Sequence, residues 1–195
     1  MRASLPRLVA VLGLQVTILA LVPASQVRAR LLGRPITLDT GPIDPFSPFA
    51  GHYIDLSFRV ERPGPGLAPT GLQPGDLVYL NVARSGPAWR LVSVTRALPS
   101  PSPERVSLRA RWGRYESAEI EGARRFFVPE SKARALGEAL SVERRRVSDE
   151  AEKTRDLAER QRLWDVSAGR VDLRVDEDGH VALVRLRVGD VSADW

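Results

Sequence analysis

The chain has 195 residues, enough for one ordinary domain or for a domain with an anchor. It contains no cysteine, which excludes disulfides, zinc–thiolate centres and cysteine nucleophiles. A net charge of +5 raises nucleic acid or an anionic membrane as partners. The arginines, however, are scattered over alternating strand positions and one helix, with no aromatic–basic stripe. That pattern describes a solvated basic surface, and no nucleic-acid partner is expected.

Residues 8–22 are almost wholly apolar and follow Arg2 and Arg7. The run lies near the lower limit of about 17 residues for a membrane-spanning helix. Val22-Pro23-Ala24 before Ser25 also fits a signal cleavage site. The expectation is an uncleaved anchor over residues 1–24, touching lipid through residues 8–22. Secretion after cleavage near Ala24, or a buried core helix, are the alternatives. Arg28, Arg30 and Arg34 follow the run, so the positive-inside balance is nearly even. A short basic head of this kind stays in the cytoplasm, which places the bulk of the chain outside it. Residues 25–34 read as a polar linker.

The remainder, 35–195, reads as one β domain. A first strand is expected over 35–40, with Ile36 and Leu38 on one side. In 52–62, Ile54, Leu56, Phe58 and Val60 alternate with Tyr53, Asp55, Ser57 and Arg59, the pattern of a half-buried strand. This strand is expected at the centre of the domain, with hairpins added to it. Residues 63–76 are too rich in Pro and Gly for a regular element. Residues 77–83 and 88–95 flank Arg84-Ser85-Gly86-Pro87 as a hairpin. Val106, Leu108, Ala110 and Trp112 mark another strand, and a polar segment runs from Gly113 to Arg125. Phe126-Phe127-Val128 is a short strand stopped by Pro129.

From Pro129 to about Trp164 a long helix is expected, possible breaks falling at Gly137 or Ser141. Leu136, Leu140, Val147, Ala151 and Ala158 form its thin apolar stripe, and Asp149–Lys153 and Asp156–Arg160 are oppositely charged i,i+4 pairs. Its distal part, about 142–163, is charged on most faces and offers few large apolar residues. A closing hairpin turns at Asp176-Glu177-Asp178-Gly179, and the phase change between Leu183 and Val184 predicts a bulge. The expected fold is mainly β (α+β): a compact antiparallel domain of about seven or eight strands with one long helix, behind an N-terminal membrane segment. Pattern leaves barrel and sandwich equally open.

One block carries more than fold. In Pro42-Ile43-Asp44-Pro45-Phe46-Ser47-Pro48-Phe49-Ala50-Gly51-His52-Tyr53, three prolines stiffen a turn that leads through Gly51 into the 52–62 strand. Gly51, Tyr53 and Leu56 resemble the signature of the GDYXXLXY family, bacterial membrane-associated proteins without an assigned activity. His52 stands where that family usually has Asp, and Phe58 where it has the last Tyr. Pro42, Asp44 and Pro45 resemble its P-V-D-P. Gly75-Asp76, then Phe126-Phe127-Val128-Pro129-Glu130, then the hairpin at Gly179 follow in the family's order. The resemblance covers roughly Arg34 to Val188, apart from a helical insertion at about 142–163, and implies an N-terminal membrane segment and multi-spanning membrane-protein partners.

The chemistry-bearing residues are sparse. The two histidines, His52 and His180, lie in separate strands without metal-ligand spacing, so no metal and no cofactor is expected. Asp176-Glu177-Asp178-Gly179 lacks the later glutamate of a calcium loop and reads as a turn. No Gly-x-Ser-x-Gly elbow occurs, and Ser131-Lys132 fits a helix start better than a nucleophile pair. Asp44, His52 and Tyr53 form the one polar constellation that could carry acid–base work. Turn-holding by Asp44 and strand packing by Tyr53 explain the same residues. The expected function is a non-enzymatic, membrane-anchored, extracytoplasmic accessory or interaction domain, with no catalytic residue. A hydrolase or ligand-binding enzyme using the Asp44/His52/Tyr53 turn, and a basic nucleic-acid binder, are the alternatives.

Overall fold

The strand patterns of the sequence reappear as buried faces in a computed structural model that describes residues 5–41, 53–153 and 169–195. In chain order the elements are α1 (Leu5–Leu32), β1 (Arg34–Asp39), β2 (Tyr53–Asp55), a 3-10 turn (Arg59–Glu61), β3 (Leu77–Ser85), β4 (Ala88–Thr95), β5 (Arg105–Trp112), β6 (Ala118–Ile120), β7 (Arg125–Phe127), α2 (Glu130–Lys153), β8 (Arg170–Val175), β9 (Val181–Val188) and β10 (Val191–Asp194). Eight strands form one sheet in the order β10-β9-β8-β1-β4-β3-β5-β6, and β2 pairs β7 in a small separate ladder. The expected mainly β fold with a long helix is what forms. Every described strand pairing is antiparallel except β1 with β4, which is parallel.

The sheet is curled. β8 and β5 stand four places apart, about 19 Å in a flat sheet at about 4.8 Å per neighbour. Yet the Gly179 carbonyl, in the β8–β9 turn, accepts a hydrogen bond from the Arg109 N–H of β5 at 2.9 Å. Gly179 has φ +87°, and a Cβ there would sit 2.9 Å from the Ser107 carbonyl oxygen. Only glycine combines that left-handed backbone with so close an approach. The curl wraps an apolar core drawn from most of the strands and from α2, with Leu38, Leu80, Leu108, Phe126, Leu136 and Leu186 fully buried.

Residues 52–62 are not the central strand. Ile54, Leu56, Phe58 and Val60 are buried as their alternation requires. Their hydrogen bonds, however, go elsewhere: β2 spans only Tyr53–Asp55, Leu56 N–H donates to the Arg124 carbonyl, and Phe58 N–H is taken by the Glu61 carboxylate. The chain then coils into the 3-10 turn. Apolar alternation specifies which face is buried and leaves open which neighbour supplies the ladder. The middle of the sheet is β1, joined to β8 on one side and β4 on the other.

Three further readings change. Residues 25–34 are no linker, because α1 continues to Leu32 and packs on β8 and β9. Ala29 is fully buried there, and a Cβ on Gly33 would lie within 2.8 Å of the Val175 backbone nitrogen. The polar segment 113–125 contains β6, too short and too mixed in composition to show a strand pattern. α2 passes unbroken through Gly137 and Ser141, and its surface carries the ion pairs Arg134–Glu138 and Glu143–Arg146. The bulge is where the phase change put it. Asp172 faces Arg185 and Leu173 faces Leu183, leaving Val184 as the extra residue.

Candidate functional site

The motif residues divide between described and undescribed chain. Pro42, Asp44, Pro45, Gly51 and His52 lie outside the described residues, and with them the Asp44/His52/Tyr53 constellation as a whole. Tyr53 sits half-buried on β2, its ring 6.3 Å from Phe127 and the Arg125 guanidinium 5.3 Å over it. Leu56 and Phe58 fill the core. Gly75 N–H donates to the Trp112 carbonyl at 2.8 Å, and the Asp76 carboxylate accepts the Gln73 N–H at 2.9 Å, so this pair shapes the approach to β3. The Pro129 carbonyl accepts the N–H groups of Lys132 and Ala133, starting α2, with Glu130 exposed beside it. Gly75, Asp76 and Pro129 thus bond to backbone, while Tyr53, Leu56 and Phe58 pack against side chains.

Glu61 escaped the sequence reading. One carboxylate oxygen accepts the Phe58 N–H at 2.8 Å and the other the Ile120 N–H at 2.9 Å, tying the 3-10 turn to β6. Burial pushes its pKa up to about 7, against the two N–H donors, which favour the charged form. Glu119 adds to the rise and Arg124 opposes it. Its only signal in the sequence was a glutamate three places after an apolar residue, without the Ser or Thr that marks a capping box.

A cleft of about 490 Å³ opens where the end of α1 meets the sheet, lined by Leu32, Arg34, Asn81, Ser107, Leu98 and Asp176 among others. Asn81 is buried and satisfied: its amide donates to Ser93 Oγ at 3.1 Å and Thr95 Oγ1 at 3.2 Å, and its carbonyl accepts Ser107 Oγ at 2.7 Å. Arg34 lies over Trp89 at 5.0 Å and donates to the carbonyls of Ser102, Pro103 and Arg105, which pins the 102–105 loop over the cleft. An asparagine within Leu77-Val78-Tyr79-Leu80-Asn81-Val82 was the available signal for this ladder.

At the cleft edge, ligand-type atoms of Asp176, Asp178 and His180 converge within 4.8 Å. Each is already engaged. One Asp176 oxygen accepts the N–H groups of Asp178 and His180, the other lies 3.2 Å from His180 Nδ1, and Asp178 pairs with Arg28 at 2.8 Å. That is the bonding of a held hairpin turn.

The N-terminal helix is the other unusual surface. Val9, Val11, Leu12, Leu14, Val16, Ile18 and Leu19 are each more than half exposed. No single described helix is long and apolar enough to cross a membrane. The segments Val9–Leu19 and Ala24–Leu32, bent by 43°, meet the test of length and composition together.

Residues 15–186 match the GDYXXLXY protein family. The chain belongs to that family. The match begins inside the apolar run, so the family's extent takes in most of α1 as well as the β domain, further than the 34–188 that the motifs alone suggest. No curated protein and no solved structure matches the chain.

Proposed function

We propose that this GDYXXLXY-family protein is a membrane-anchored, extracytoplasmic interaction domain that is not an enzyme and acts beside a multi-spanning membrane protein. The observation that carries the reading is α1. A helix apolar on all sides belongs in a core or in a bilayer. The residues from Val9 to Leu19 are outside the core, while the last turns of the same helix are packed onto β8 and β9. The anchor thus leads, through a bend of 43°, into turns of the same helix that are packed on the domain.

Two further observations support the reading. The arginines after the run have work in the fold: Arg28 pairs with Asp178, Arg30 donates to the Trp195 carbonyl and Arg34 holds the 102–105 loop. Surface ion pairs such as Arg109–Glu121, Arg124–Glu119 and Arg187–Asp172 likewise absorb much of the basic surface. Such a surface does not present the continuous positive stripe a nucleic acid would need. The described motif residues hold turns and fill the core, which fits a scaffold better than a reaction centre. The membrane-protein partner rests on the family resemblance.

The test fuses to Trp195 a reporter active only outside the cytoplasm, with a cytoplasmic reporter at the same site as its converse. Activity of the first, and recovery of the protein in carbonate-washed membranes, is expected. Activity of the second overturns the orientation. Unprocessed protein in the soluble fraction overturns the anchor.

A further inference from the structure

Beside the first turn of α1 that touches the domain lies an aromatic face that the fold leaves uncovered. Phe127 is 58% and Trp195 42% exposed. Their rings meet edge to face at 5.4 Å, and the Tyr53 ring lies 6.3 Å from that of Phe127. Trp195 shares a small hollow with Gln26, Val27 and Arg30 of α1, and Arg30 donates to its carbonyl at 2.6 Å. Arg125 covers Tyr53. The cluster is thus fixed to the helix that carries the apolar run, flanked by two guanidinium groups.

The run itself is short. Residues 8–22 rise about 22 Å as a helix, at about 1.5 Å per residue. The hydrocarbon core of a bilayer is about 30 Å thick. The shortfall brings the following turns of α1, where Val27 and Leu31 are exposed, to the boundary with the headgroups. Tryptophan and tyrosine concentrate at that boundary, with arginine reaching past them to the phosphates.

We infer that the Tyr53–Phe127–Trp195 face is seated in the interfacial layer of the bilayer that α1 enters, so that the domain lies against the lipid instead of standing off from it. This rests on the membrane reading above. The seat would hold the domain at one height and one rotation relative to a membrane partner.

The absence of cysteine allows single-site labelling of the full chain in phosphatidylcholine vesicles. Nitroxides are placed by Phe127→Cys, Leu12→Cys and Tyr115→Cys, and collision with oxygen is compared with collision with a water-soluble nickel chelate. Tyr115 is 96% exposed in the β5–β6 connection, at the end of β6 away from the Gly122 turn that abuts Gln26, and serves as the aqueous reference. The expected result is oxygen dominance at position 12, an intermediate ratio at 127 and nickel dominance at 115. Position 12 in lipid with position 127 as wet as 115 overturns the seat and leaves the anchor standing. Position 12 in water overturns both. A fluorescence blue shift of Trp195 on vesicle binding, lost in Trp195→Ala, is the second expected readout, and an unchanged spectrum counts against the seat.

Discussion

The Glu61 carboxyl holds backbone N–H groups from two elements, and its raised pKa gives the fold a pH dependence of definite sign. Its folded value of about 7 lies above its ordinary value of 4.5. Between those values the native state binds more protons than the unfolded chain, so stability falls as pH rises through this window and levels off above it. The loss is at most about 3.5 kcal/mol, at about 1.4 kcal/mol per pH unit of difference. Glu61→Gln should remove this part of the pH dependence. Urea midpoints of both proteins between pH 4.5 and 8 check it; parallel curves would show that the two N–H donors hold the carboxyl at its ordinary value. The turn at Asp176 is a different kind of polar residue: its bonds are local, and the fold uses it to aim Gly179 at β5.

Among the elements, α2 changes character along its length. Ala133, Leu136 and Leu140 are buried, whereas Val142 is 67% exposed. Leu136→Ala should cost about 2–5 kcal/mol through the cavity it leaves. Val142→Ala should stay within about 0.5 kcal/mol of the parent, as surface substitutions do. Equal effects in urea unfolding would mean that the distal helix is packed in solution. Replacing 142–162 with a Gly/Ser linker should likewise preserve cooperative unfolding, since exposed ion pairs on a helix contribute only about 0.2–0.5 kcal/mol each. The end of that stretch, 154–162, lies outside the described residues. α1 makes the same division in reverse order, exposed first and packed last.

The molecule as a whole depends on the sheet curling back on itself. Gly179 is the point of contact, and it has both a left-handed φ and no room for a Cβ. Gly179→Ala should cost at least about 1–2 kcal/mol from the backbone alone, and more from the approach of the Ser107 carbonyl. A chemical-denaturation midpoint equal to that of the parent would mean that the turn and β5 separate without consequence. Loss here should also loosen the cleft, because Asp176 and Ser107 both line it.

What the sequence determined by itself was local: the buried faces at 36–38, 54–60 and 106–112, the hairpin at Gly86, the bulge at Val184 and the start of α2. Periodicity and turn chemistry act over a few residues, and a single chain displays them directly. The family block belongs with these, because its matching residues are close together in sequence. Only the tertiary structure decided that 52–62 is a flank and β1 the centre, since ladder partners are separated by many residues. β1 finds β8 more than a hundred positions away. The same distance hid Glu61 bonded to Ile120, the Asn81 ladder across three strands, and Trp195 against Phe127. Each of those contacts joins residues far apart in sequence, and no local pattern encodes such a pairing.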